Sequence, residues 1–329
     1  MSNQTALPKE ISLKFSLFSL GFVFIVILFH SDFRYYYPFI EDLTAVSTSF
    51  FFCVSAFFFY NGLEKGNIAA RLRKRMATLL LPYLLWNLIY LLLHIKFATL
   101  SAPYILRAFT VSPLCTPSWY LLTLFLFLLA SPVVMKALQK NGSTVFLLLA
   151  GMGISYLGYL RFQVELASVP VIGGYLIRMT EYITPYLIGA LIGYKFSKKL
   201  HVTWKHCVIG LLCCGTILGL LLCNIPSELR YLLWVLLPLA LWEAIPEKIF
   251  AHIHFIRIFT GPAFWINMTH CYLLSVWADI LAKVQLTMNI YGVAVQVVLT
   301  VITAYVLYFL LKLILPKVLQ LLTGNRVRT

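Results

Sequence analysis

Two histidines are the residues of this chain best suited to move a proton. His30 ends the first long apolar run, with Asp32 two residues on, and His270 lies within Phe264-Trp265-Ile266-Asn267-Met268-Thr269-His270-Cys271-Tyr272. Neutral imidazole is the usual general base for deprotonating a hydroxyl, because its ordinary pKa lies close to physiological pH. The competing readings are an interfacial histidine bonded to water or lipid headgroups for His30, and a packing histidine satisfied by a neighbouring helix for His270. At about 100° per residue, Asn267 and Trp277 share the face of His270. Asp279 points the other way, so it is not the carboxylate that orients this ring.

Cations form a second group. Arg71, Arg73, Lys74 and Arg75 place four positive charges in five residues. Such a cluster suits either the phosphates of a cytosolic ligand or a positive anchor at the inner membrane surface. Glu181 and Tyr182 begin one apolar segment and Trp119-Tyr120 another, both expected on the same side as His30, with aromatic anchoring at the membrane boundary as the alternative for Trp119-Tyr120. Gly189 and Gly193 form a small-xxx-small pair, read as a close helix crossing. The Tyr35–Tyr37 and Phe50–Phe52 clusters are expected at the interface and in packing. Seven cysteines, mostly within apolar runs and without CxxC spacing, indicate neither a disulfide frame nor a zinc site.

The elements that must hold these groups are membrane helices. Of 329 residues, 61% are hydrophobic and only 11% charged, and the mean hydropathy is +0.89. That leaves too little polar surface to coat a soluble protein, and the apolar runs are too long and unbroken for alternating barrel strands. The expected fold is an all-α polytopic bundle of about ten transmembrane helices, over residues 12–31, 43–61, 77–95, 118–136, 144–161, 181–196, 206–223, 229–243, 258–281 and 291–315, forming one integral-membrane domain across 1–329. The first run follows Lys9 and Lys14 and lacks a small-x-small cleavage site, so it reads as a retained span. With the amino terminus inside, nineteen of the 26 Lys and Arg fall on the inner side, which predicts that both termini are cytoplasmic. The net charge of +15 then reports topology and contact with anionic lipid, and no nucleic-acid partner is expected.

In chain order, several segments resemble the integral-membrane acyltransferase 3 family. Ile27-Leu28-Phe29-His30-Ser31 looks like the family's opening histidine helix, and Phe51-Phe52-Cys53-Val54-Ser55-Ala56-Phe57 resembles its FFxxSGF segment, with Ala56 in place of glycine. Lys74-Arg75 followed by Leu81-Pro82-Tyr83-Leu84-Leu85-Trp86-Asn87 is similar to its basic loop and PYxxWN helix, and Ser118-Trp119-Tyr120 to the start of a middle helix. Phe264 to His270 resembles the late FxIYxxH segment, and Pro316 with Leu321-Leu322-Thr323-Gly324-Asn325-Arg326 resembles the PxxxxLLTGxR ending of some members. There are departures. Family members commonly carry an arginine eleven residues before the first histidine, where this chain has Ser19 on the His30 face, and Leu122-Thr123 stands where relatives often have Arg-Asp. Lys14 lies about 160° around the helix and does not replace that arginine, so the cationic role is expected elsewhere, at Arg178, or the activity is altered.

The resemblance implies acyl transfer from a cytosolic thioester, acetyl-CoA as co-substrate with no permanently bound cofactor and no metal, to a hydroxyl of a glycan or lipid-linked sugar at the outer face of a bacterial inner membrane. On that reading His30 is the general base, Asp32 or Glu181 orients it, and Arg71, Arg73, Lys74 and Arg75 hold the nucleotide phosphates. His270, Asn267, Trp119, Tyr120 and Arg178 stabilise the oxyanion or position the acceptor, which Arg34, Arg107 and Arg161 also have the chemistry to contact. Two other readings stand beside it. One is a transporter of a glycan-linked lipid using His30, His270 and Asp279 as proton or substrate sites, and the other is a catalytically silent relative.

Overall fold

The structure is a computed structural model that describes residues 7–63, 68–94, 101, 105, 109, 114–169, 173–196, 200–252, 256–284 and 289–325. Arg107 lies outside them, as do Lys65, Lys198, Lys199, Arg326 and Arg328 of the charge count. Most of the described residues are helical, with no strand among them. In order, the principal helices are α1 (Lys9–His30), α2 (Phe39–Tyr60), α3 (Ile68–His94), α4 (Trp119–Leu129), α5 (Ser131–Leu138), α6 (Asn141–Ile154), α7 (Gly173–Leu191), α8 (Trp204–Leu221), α9 (Ser227–Ala244), α10 (Ala263–Lys283), α11 (Ile290–Ile314) and α12 (Pro316–Leu322).

The described part of each of the ten expected segments is largely helical, with interruptions in 118–136 and 258–281. Six are long and apolar enough to cross a membrane singly: α1, α2, α3, α6 with its π-helical extension to Arg161, α8 and α11. A seventh is the broken pair of α4, with its leading 3₁₀ turn from Thr116, and α5, bent by 56°. The bend falls at Ser131-Pro132, where the proline has no N–H to continue the ladder. The helices α7, α9 and α10 are as long but less apolar, because they carry Arg178 and Glu181, then Glu228, Arg230 and Glu243, then Asn267, His270 and Asp279.

Helix α2 is the axis of the bundle, and α1, α7 and α9 all pack on it. Its crossing with α7 is close because Gly189 and Gly193 face it; a methyl group at either would overlap the backbone of Cys53 or Phe57. This is the small-residue mechanism expected of that pair, since without a side chain the helix backbones can touch. The end of α2 is closed at Gly62, whose φ of 63° puts it in the left-handed region that favours glycine after a helix. Arg71 then donates to the carbonyls of Phe59 (2.8 Å), Asn61 (2.7 Å) and Gly62 (3.4 Å), placing a cation where the helix dipole is negative.

Other buried polar groups tie distant segments together. Lys14, fully buried, donates to the Trp242 carbonyl and stacks its ammonium 3.9 Å from the centre of that indole, docking α1 on the end of α9. Asn87 donates to the Tyr83 carbonyl (2.8 Å) and the Ser118 hydroxyl (3.0 Å) and accepts from the Cys115 N–H (3.2 Å), which fixes the approach to α4. Trp86 donates to the Leu322 carbonyl (3.0 Å), pinning α12 to α3.

Candidate active site

The central feature is a cavity of about 1340 Å³ that follows α2 from Phe39 to Phe59. At a rise of about 1.5 Å per residue that is roughly 30 Å, the thickness of a bilayer's hydrocarbon core. Arg75 lines it beside Phe58 and Phe59, at the α2 end that Arg71 caps. Glu41, Asp42 and Arg230 line it at the opposite end. His30, from the last turn of α1, faces it, and so do Ser19 on the same helix and Asn267 on α10. The geometric expectation that Ser19 shares a passage with His30 therefore holds. The Ser19 hydroxyl itself is turned back onto the Phe15 carbonyl (2.8 Å).

His30 is partly buried, and among the described residues no hydrogen bond holds its ring. Its nearest ring neighbours are Phe29 and His270, the latter with centroids 5.1 Å apart and planes at 50°. His270 is fully buried behind it, with Nδ1 bonded to the Asn267 carbonyl at 2.8 Å and Nε2 3.3 Å from the Cys271 sulfur. The two histidines, 240 positions apart, are thus brought together because α1 and α10 pack side by side.

The residues expected to orient His30 are placed elsewhere. Asp32 is exposed at the start of the short helix Phe33–Tyr36, and no hydrogen bond among the described residues joins it to His30. Glu181 is buried and pairs with Arg178 at 2.8 Å. Its position follows from Pro185: a proline has no N–H to give the carbonyl four residues back, so the Glu181 carbonyl accepts from the Tyr231 hydroxyl at 2.8 Å instead. The Tyr231 oxygen also lies 3.0 Å from the Ser155 hydroxyl, which donates to the Thr180 carbonyl and contacts Thr184, so a polar cluster fixes α7 against α9 and the π-helical turn Ser155–Arg161.

Arg178 lies with its guanidinium carbon 5.0 Å from the centre of the Trp119 ring, and both line the cavity. The Tyr120 hydroxyl donates to the Phe51 carbonyl (3.0 Å) and accepts from Ser55, so this tyrosine, although in the cavity wall, is tied to α2. The four-cation cluster divides. Arg75 lines the cavity, Arg71 caps α2, and Arg73 and Lys74 are exposed on the intervening turn. Of the remaining arginines, Arg34 lies over Phe29 and Tyr35, and Arg161 pairs with Tyr156 and Glu228 on the surface.

Asp42 and Arg230 are site residues that sequence reasoning did not single out. Asp42, buried near the start of α2, accepts from Arg230 and from the Trp234 indole N–H (2.8 Å) and lies in the cavity wall. The available signal was a carboxylate in the first turn of a long apolar helix, and it is easily taken for complementarity to the helix dipole.

Comparison with known proteins gives one match. A family model described as an acyltransferase domain covers residues 20–309. No curated protein and no solved structure matches the chain.

Proposed function

The chain belongs to this integral-membrane acyltransferase family, and from that premise we propose that it moves an acetyl group from cytosolic acetyl-CoA to a hydroxyl of a glycan or lipid-linked sugar at the outer face of a bacterial inner membrane. On this reading ten helices cross the bilayer and both termini are cytoplasmic. The observation that carries the proposal is the cavity of about 1340 Å³ along α2, whose wall holds Arg75 toward one end and His30 further along. A passage of that length lets a donor and an acceptor approach one imidazole from opposite compartments.

The proposed reaction uses groups in that wall. The donor's phosphates pair with Arg75, with exposed Arg73 and Lys74 on the next turn, while the pantetheine arm extends along α2. The His30 lone pair takes the acceptor hydroxyl proton as the oxygen attacks the thioester carbonyl. Charge on the tetrahedral oxyanion is met by N–H donors. The Asn267 amide and the Trp119 indole line the cavity, and neither has a side-chain hydrogen bond among the described residues. Collapse breaks the carbon–sulfur bond, forms the ester, and returns the proton from His30 to the departing thiolate. His270 does not reach the cavity and acts through His30, as a positioning residue packed against its ring. Arg178 holds Trp119 from one side, and Glu181 keeps Arg178 in place.

Purified protein incubated with radiolabelled acetyl-CoA and candidate saccharides tests this. Label passing to a sugar ester in the wild type, and falling about 10²–10⁴-fold in His30→Ala with membrane insertion intact, is the expected result. Near wild-type turnover in His30→Ala eliminates the base role, and acceptor movement without acyl consumption identifies a transporter.

A further inference from the structure

Behind the cavity wall three metal-ligating side chains converge. One ligand atom each from His30, His270 and Cys271 lies within 4.8 Å of the other two. Cysteine spacing gave no hint of this, because the third member comes from α1 and the other two from α10. The hydrogen bond between His270 Nδ1 and the Asn267 carbonyl, 2.8 Å, puts the ring proton on Nδ1. Nε2 is left with its lone pair facing the Cys271 sulfur 3.3 Å away. A histidine whose distal nitrogen is tied to a carbonyl while the near one faces other ligands has the outer-shell arrangement of metal-bound imidazoles. His30 supplies a second imidazole with no hydrogen bond to break among the described residues, and it opens onto the cavity.

We propose that His30, His270 and Cys271 form a three-ligand site for a thiophilic divalent cation of the zinc class, with its fourth position open toward the cavity. Two imidazoles and a thiolate are the donor set that selects zinc over magnesium or calcium. Ligand atoms on one tetrahedral zinc stand roughly 3.5 Å apart, so closure requires only a small rotation of the unrestrained His30 ring. On binding, the Cys271 thiol releases its proton to solvent and its sulfur bonds the metal, while the His30 lone pair is taken up. Resting on the functional reading above, occupation removes the general base, so the site is inhibitory and couples acyl transfer to free zinc.

The test uses full-length protein in detergent, stripped with a chelator and titrated with cobalt(II), whose sulfur-to-metal charge-transfer band in the near ultraviolet reports a thiolate ligand independently of activity. One cobalt per chain with that band, displaced by zinc, is the expected result. The band should be lost in Cys271→Ser, a variant that retains acyl transfer without metal. Absence of the band in the wild type, or its persistence in Cys271→Ser, overturns the site. Should Cys271→Ser fail to elute like the wild type on size exclusion, the same question is answered in unmodified protein by mass spectrometry: zinc must slow alkylation of Cys271, and an unchanged rate overturns the site. The functional reading fails separately. Zinc that blocks wild-type turnover but spares Cys271→Ser places the ion on the base, whereas full loading without loss of turnover leaves the site standing and removes His30 from the chemistry.

Discussion

Helix α2 and helix α11 are both long apolar segments, yet they live in different surroundings. Over the most apolar stretch of each, 56% of α2 is buried within the protein and only 17% of α11. Along its cavity side α2 presents Asp42, Thr44, Thr48 and Ser55, whereas α11 turns Val295, Val298, Ile302 and Val306 outward. Overall apolarity does not separate the two settings, since α1 is as apolar as α11 yet brings Ser19 and His30 to the cavity; what separates them is the polar face that α2 turns inward. The helices that pack on α2 and fall short of span-grade apolarity, α7 and α9, supply Arg178, Glu181 and Arg230 to the same cavity. An intramembrane polar group costs free energy unless it is paired or wet, so polar helices collect around the passage.

Substitutions can sharpen or break that contrast. The largest effect on folding is expected from Asp42→Ala, which leaves the Arg230 guanidinium with only the Leu221 and Cys223 carbonyls and the Trp234 N–H without its acceptor at the α2–α9 contact. A loss of about 3 kcal/mol is expected, read as a lower thermal midpoint in detergent. Arg75→Gln removes the cation at the proposed donor end, and the loss of charge-assisted bonds of about 1.5–3 kcal/mol corresponds to a rise of roughly 10–100-fold in KM for the acyl donor, with acceptor KM unchanged. Asn87→Ala leaves the Cys115 N–H buried without its acceptor. It should cost about 1–3 kcal/mol and lower stability without selectively moving either KM. Val298→Ala, on the exposed face of α11, should change stability by no more than about 0.5 kcal/mol and leave turnover intact. A large effect at Val298 would place α11 in an interface rather than in lipid.

Much of the scaffold was legible because spanning helices need about 20 apolar residues each, and six of the expected runs are helices long and apolar enough to cross singly, with a seventh bent at Ser131-Pro132. The Gly189–Gly193 crossing was legible for the same kind of reason, since its signal is local and its consequence is steric. The site was legible only in part. His30 stood out as an imidazole at a helix end, but its neighbour His270 is 240 residues away, and no periodicity relates two helices before they pack. The cation cluster read as one unit from spacing alone, although a helix sends successive residues in directions about 100° apart. Arg71 is drawn to the carbonyls ending α2 and Arg75 to the cavity, and Arg73 and Lys74 are left in the open. Trp86 and Asn87, prominent in the family resemblance, anchor α12 and the approach to α4 and do not line the cavity. Asp42 was hidden by its position, where a carboxylate is ordinary.

The central claim is that one passage along α2 carries a donor and an acceptor to His30 from opposite compartments. Sealed proteoliposomes of uniform orientation test it directly, with labelled acetyl-CoA confined to the Arg75 side and the saccharide to the other. The account predicts labelled ester in the acceptor compartment while the donor stays on its own side, and none with His30→Ala. Label appearing only when donor and acceptor share one compartment would contradict it.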